Sequence, residues 1–505
     1  MSEETEAVYD FCVVGSGFAG SIMAMGLKQS GYKVCMIEKE KHPRFAIGES
    51  STPIADMILR DLSGKYDLPF LGKISRYGEW QGNYPEVICG LKRGFSYYSH
   101  QKGKIFSGSH NHENELLVAA SENDENSDTN WLRSDVDAFL VEQAKKIGVD
   151  VFEETGIAGL TRNRDEKTWS AICQRISKRV TLKCKWIIDA TGSPVFSKNF
   201  LGTESTSEDF YTNSEAVFTH FEEVPHWLQY LNNRGIYTDD YPYNPDRSAL
   251  HQIIEEGWTW MLRFKNDLLS AGLLFDRDSH FPDEKKNAEV LWADTVGNYP
   301  SLNKLFNNAR LAKIPGQFYR TGRLQRKLDR TFGEGWVALN HTTGFVDPLH
   351  STGIAFALCG VEKLLDVYSK QLEEKEILDK IKIIQDQTFK ELQFIDLIVS
   401  AGYKSRWNFK LFSAAVMLYF IASVQYEQSR LKGVIPNTFL YADDMEIFEV
   451  ISVTHSEIKE LDQDRSVSQM NELINRIKER IAPFNSVGLM DDEKMNMYVH
   501  TAVTL

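Results

Sequence analysis

Gly15, Gly17 and Gly20 stand in the run Gly15-Ser16-Gly17-Phe18-Ala19-Gly20, and Glu38 follows after one helix and one strand. Glycines at this spacing do a definite job. Gly15 permits a tight turn. Gly17 lets backbone approach a pyrophosphate. Gly20 lets a helix pack on a sheet. Phe18 and Ala19 in the run are candidate contacts, and the helix that follows has free N–H groups and a positive end that suit phosphate oxygens. Glu38 lies where a ribose 2′-OH needs an acceptor. The elements that position these residues follow from the pattern: a strand over 9–14, a helix over 22–30, a turn at Gly31-Tyr32 and a strand over 33–37. Together they form a complete dinucleotide-binding βαβ unit. Its place at the start of the chain, with further flavin-type features behind it, favours FAD over NAD.

Three later stretches could face the same ligand. Ala46-Ile47-Gly48-Glu49-Ser50-Ser51-Thr52-Pro53 offers small and hydroxyl residues directly after the second strand, where ligands collect in such sheets, and Ser50 is a candidate contact. Lys185 to Ile188 is an apolar strand running into Asp189-Ala190-Thr191-Gly192. Asp189 and Gly192 bring backbone close to the dinucleotide, or Asp189 caps a turn. Asp347-Pro348-Leu349-His350-Ser351-Thr352-Gly353 precedes a helical pattern starting at Ile354. Free N–H groups there could hold an anion or the polar edge of a flavin. Trp258 and Trp260 are two apart in a strand and share one face. They line an aromatic-substrate pocket or fill the core.

Composition bounds the rest. A chain of 505 residues, 42% hydrophobic and 25% charged, is a globular protein large enough for two domains. The net charge is -14 and no Lys/Arg block stands out, which argues against nucleic acid. Residues 1–7 are acidic and lack an apolar signal segment, so a cytoplasmic location is expected. The apolar stretch Leu411 to Val424 is too short to span a bilayer and reads as a buried helix. The six cysteines have no metal-ligand spacing, and no metal is expected. The expected fold is α/β: a Rossmann-type FAD-binding domain, an interleaved mixed-sheet substrate domain and a helical C-terminal region. The expected boundaries are 8–203 for the first FAD-binding part, with a polar loop at 104–131, then 204–320 for the substrate domain. A second FAD-binding part spans 321–370 and the helical region 371–505.

The glycine run, the stretch Ile47 to Pro53 and the turn Asp347 to Ile354 together resemble the flavin-dependent halogenases, within the wider group of FAD-dependent aromatic monooxygenases. The resemblance covers most of residues 10–424. It implies that Ser351, Thr352, Gly353 and Ile354 neighbour flavin and halide. It also implies that reduced flavin and O2 oxidise chloride or bromide to a hypohalous acid, which a lysine beside the aromatic substrate receives. Lys92 is the best match to that lysine. An ammonium in a dry channel can donate a hydrogen bond to the acid, or form a haloamine if desolvation lowers its pKa. Two positions depart from the family pattern. Trp258 and Trp260 are followed by Leu262 and Arg263, where the family's tryptophan motif ends in Ile-Pro. His350 stands where indole halogenases carry glutamate; it serves as a base, orients a substrate hydroxyl, or is an ordinary polar residue. On these departures the first expectation is oxygenation of an electron-rich aromatic group, a small molecule or a tryptophan of a partner protein during quinone cofactor maturation. Halogenation is the alternative. No second nicotinamide fingerprint is present, so a separate flavin reductase is expected.

Overall fold

The structure is a computed structural model that describes residues 8–175, 178–461 and 466–501. The acidic N-terminal residues 1–7 lie outside this range. The βαβ unit forms as its pattern requires. The strands Val8–Val14 and Val34–Ile37 pair in parallel around the helix Phe18–Gln29. The strand Lys178–Asp189 lies on the other side of Val8–Val14, and Trp336–Ala338 follows it, both in parallel. Asp150–Phe152 extends the sheet beyond Val34–Ile37. Near-continuous apolar strands such as Val34–Ile37 are buried on both faces, as parallel sheets demand. An antiparallel hairpin, Thr155–Asn163 with Thr168–Arg175, branches from this sheet.

Between the second and third parallel steps the chain leaves to build a nine-stranded sheet. Its centre runs Ser214–Glu222, Leu269–Asp276, Gly257–Arg263, Ala249–Ile254, Gly94–Ser99 and Glu115–Ala119. Side chains alternate across it. Phe95, Tyr97, Trp258, Trp260 and Leu262 face the first sheet and the C-terminal helices. Tyr98, Leu117, Leu250, Met261 and Leu273 face a second core under the helices Trp227–Asn233, Ala288–Gly297 and Pro300–Phe306.

One expectation is corrected here. The stretch 104–131 is not all polar loop, because Glu115–Ala119 and Asp128–Trp131 are fully buried strands. Leu116 to Ala119 supplies the apolar run, and cross-strand partners bury the polar Asp128-Thr129-Asn130. The C-terminal region is helical as expected, and among its described residues the strand Met497–Tyr498 returns to pair with Glu115–Ala119.

The C-terminal helices are Glu374–Ser405, Phe409–Leu431, Met445–Glu460 and Val467–Ile481. Phe409–Leu431 starts after Trp407 because Asn408 accepts from the Leu411 N–H at 3.1 Å and caps it. By length and composition this helix could cross a membrane, but its apolar window is 89% buried inside the fold. Its Tyr419 stacks on His350 and its Phe412 packs on Tyr97, behind the site described next.

Candidate active site

A cavity of about 960 Å³ runs from the first glycine turn to the aromatic face of the second sheet. Gly15, Gly17, Phe18, Ala19 and Glu38 line one end. The turn is tight because it must be. Gly15 has φ +102°, and a Cβ there would meet the Ala190 carbonyl oxygen at 2.6 Å. A Cβ on Gly20 would lie 2.1 Å from the Gly15 carbonyl oxygen. Glu38 accepts from the Ser16 N–H at 3.2 Å, the Ser16 hydroxyl at 2.8 Å and the Glu40 N–H at 3.0 Å. Burial pushes its pKa up, but the Arg44 guanidinium at 3.2 Å and these donors outweigh burial and keep it ionised.

Two arginines complete this end, and sequence reasoning missed both. A Cβ on Gly17 would sit 3.3 Å from Arg133 Nη2 and 3.9 Å from Arg44 Nη2. Arg133 is clamped by Asp137 through two bonds of 2.9 and 2.8 Å, and it donates to the carbonyls of Ile47 and Gly48. A bidentate clamp fixes a guanidinium plane well. Its position one residue into a helix, four before an aspartate, was the available signal. Two guanidiniums beside an uncapped helix N-terminus suit a pyrophosphate.

The other end carries the second turn. Pro348, Ser351, Gly353 and Ile354 line the cavity. Ser351 holds a left-handed conformation, φ +53°, at the start of the helix Thr352–Tyr368, and its side chain does not cap it. Backbone strain of this kind concentrates at ligand sites. Thr352 is buried in the first turn but does not line the cavity. Asp347 also lies behind the wall. It accepts from Ser214 Oγ at 2.6 Å, the Tyr403 hydroxyl at 2.9 Å and the Leu349 N–H at 3.1 Å. Burial raises its pKa to about 7. Tyr403 in turn accepts from Trp258 Nε1 at 2.9 Å. This relay ties the turn to the tryptophan strand. Replacing Tyr403 with Phe leaves the buried Trp258 N–H without its acceptor and removes a donor to Asp347. A loss of about 1–3 kcal/mol is expected in chemical denaturation.

Trp258 and Trp260 both line the cavity, with ring centroids 6.3 Å apart. Leu262 lines it as well. Arg263, at the position of the family's proline, points to the other face and donates to the Val224 and Pro225 carbonyls. The missing proline therefore does not reach the cavity, while Leu262, in place of the motif's isoleucine, does. Ser50 and Gly192 line the cavity. Asp189 does not. Its carboxylate accepts from the Thr191 N–H, the Thr191 hydroxyl and Ser197, which makes it the turn-former of its two readings.

Lys92 lies just behind the wall. It is fully buried and donates to the Ser51 carbonyl at 2.6 Å, one residue from the cavity-lining Ser50. Its ammonium sits 4.1 Å from the Phe95 ring centroid, and Phe95 stacks on His251, which lines the cavity. Burial lowers its pKa to about 8, against the pull of Asp128, Asp56 and Glu427. His350 is buried and stacks on Tyr419 at 4.8 Å. Neither ring nitrogen has a hydrogen-bond partner among the described residues. Burial, helped by His251, lowers its pKa to about 3, so it is neutral at pH 7.

The comparisons with known proteins decide the family. The family model for tryptophan halogenase matches residues 133–406, over half of the chain. The chain belongs to the tryptophan halogenase family. A model for an NAD(P)-binding Rossmann-like domain matches residues 13–54 of this halogenase-family chain. Among relatives, monodechloroaminopyrrolnitrin halogenase PrnC of Pseudomonas fluorescens is 26% identical over 426 residues, 82% of this chain and 71% of that protein. Tetracycline 7-halogenase of Kitasatospora aureofaciens is 23% identical over 428 residues, 82% of this chain and 73% of that protein. The crystal structure of halogenase PltM in complex with phloroglucinol and FAD shares the fold, with a TM-score of 0.84 at 22% identity, covering 97% of this chain and 99% of that one.

The protein is an FAD-dependent enzyme of the monooxygenase and halogenase type. The residues present fit the cofactor: Gly15 and Gly20, where a Cβ would meet backbone, an ionised carboxylate at Glu38, two arginines beside an uncapped helix N-terminus, and a second uncapped helix at the far end.

Proposed function

We propose that this protein is a flavin-dependent halogenase acting on a small, electron-rich, hydroxylated aromatic molecule. The observation that carries this reading is Lys92, a wholly buried ammonium one residue behind the wall of the flavin cavity. FAD, reduced by a separate flavin reductase, supplies oxidation of halide by O2. The chain's own residues do the rest. Ser351, Gly353 and Ile354 hold the flavin end, with Asp347 and Thr352 supporting the turn. Glu38, Arg44 and Arg133 hold the dinucleotide end. Lys92 donates a hydrogen bond to the hypohalous acid, polarising it toward the ring. Neutral His350 can accept from a substrate hydroxyl.

Halogenation is favoured over the oxygenation expected first, because the relatives are halogenases and the position of the missing proline, Arg263, faces away from the cavity. A tryptophan held on a folded partner protein is disfavoured, because Lys92 and its aromatic surround lie deep in the core. The test is mass spectrometry of products from phloroglucinol and other phenols, with a reductase, FAD and O2, with and without bromide. A bromide-dependent mass gain is expected. An oxygen gain indifferent to halide would make the enzyme a monooxygenase.

A further inference from the structure

The carboxamide of Asn130 is fully buried, and neither Nδ2 nor Oδ1 has a hydrogen-bond partner among the described residues. A buried amide left unmet costs stability, so a ligand or an ordered water meets it. The local sheet fixes the face on which this amide stands. The strands Cys89–Lys92 and Asp128–Trp131 pair with Lys92 opposite Asp128 and Gly90 opposite Asn130. Residues 49–51 run antiparallel along the other edge of Asp128–Trp131. There the Ser51 N–H donates to the Thr129 carbonyl and the Trp131 N–H to the Glu49 carbonyl, which makes Ser50 and Asn130 a non-hydrogen-bonded pair. The side chains of such a pair stand close together on one face, and residues two apart in a strand share a face. Ser50, Asn130, Asp128 and Lys92 therefore share one face of a three-stranded ribbon.

Ser50 lines the flavin cavity and Asn130 does not, which places the amide on the lysine side of the wall. Aromatic rings connect that side to a second free polar group. The Lys92 ammonium lies 4.1 Å from the Phe95 centroid, Tyr419 meets Phe95 edge-on at 5.7 Å, and His350 stacks on Tyr419 at 4.8 Å. Neither nitrogen of His350 has a partner among the described residues. An amide offers both donors and an acceptor, and a neutral imidazole offers one of each. The small group that matches either is a hydroxyl, which also both donates and accepts. Apolar rings with a few placed polar groups suit a flat aromatic ligand. We propose that Asn130 binds one ring hydroxyl of the aromatic substrate and His350 a second, so that the enzyme selects rings carrying at least two hydroxyls. Asn130 is thus a specificity residue on the same ribbon face as Lys92. The identity of the ligand rests on the phenol-halogenating function proposed above.

The test is equilibrium binding, which needs no turnover. Calorimetry on the holoenzyme with oxidised FAD compares resorcinol with 3-fluorophenol, in which fluorine replaces one hydroxyl at similar size. The native enzyme should bind resorcinol about tenfold or more tightly than 3-fluorophenol. Asn130→Leu keeps nearly the same volume and has no polar atoms. There the preference should shrink to about threefold or less, with the affinity for 3-fluorophenol held, because each ligand then keeps one hydroxyl bond. Asn130→Ala, which puts no extra apolar bulk beside Lys92, is measured alongside and should lose the preference in the same way. A native enzyme that binds the two alike would leave the amide to a water and overturn the proposal, whether or not the variants fold. A preference kept in a folded variant would overturn it. So would an equal loss of affinity for both ligands, the mark of a packing role. If the hydroxyl preference depends on Asn130 as expected while no phenol is brominated, the assignment stands and the halogenase reading fails. Bromination without that preference is the reverse.

Discussion

Lys92→Met abolishes halogenated product, by at least about a hundredfold, while oxidation of reduced flavin by O2 continues at the native rate. The two readouts separate because Lys92 does not line the flavin cavity but lies behind Ser50 and His251. Removing the ammonium leaves the dinucleotide end and the Ser351 turn as they were. It takes away the buried ammonium beside Phe95, Asp128 and the Ser51 carbonyl. Methionine has nearly the volume of the lysine stem, so packing against Phe95 survives. Product is followed by mass spectrometry and flavin oxidation by its absorbance in the same reaction. Equal loss of both would mean that the substitution damaged the flavin site and that Lys92 is structural.

Gly20→Ala weakens FAD binding by about two orders of magnitude. The added methyl would stand 2.1 Å from the Gly15 carbonyl oxygen and 3.0 Å from Ala190 Cβ. The first neighbour is backbone, at the turn that must approach the pyrophosphate, so relief requires the glycine turn and the helix Phe18–Gln29 to part. Overpacking against rigid neighbours costs about 3 kcal/mol, which on FAD affinity is about a hundredfold. Fluorescence titration with FAD reads the effect. Gly64→Ala is the control: it lies within a helix and a Cβ there meets nothing within 4 Å, so affinity should not change. Full FAD affinity in Gly20→Ala would show that the turn is softer than its contacts indicate.

The sequence by itself determined the features that rest on short-range pattern. The glycine spacing, the acid at Glu38, Pro53 at the first turn of its helix and the shared face of Trp258 and Trp260 are all local, and a strand–turn–helix unit closes within some thirty residues. The Ser351 turn was legible for the same reason. Sequence could not decide what depends on register between distant strands. Lys92 meets Asp128 only because two four-residue strands pair in one alignment, and a slip of one residue would turn both side chains away. Arg133 reaches Gly17, and Tyr403 joins Trp258 to Asp347, through contacts that the sequence pattern does not encode. Arg263 looked like a broken motif because its face is set by the pleat of a buried sheet, and that pleat turns it away from the cavity while Leu262 faces in. Spacing fixed which residues could touch a dinucleotide. The packing of two sheets and a buried helix decided which of the others stand around the lysine.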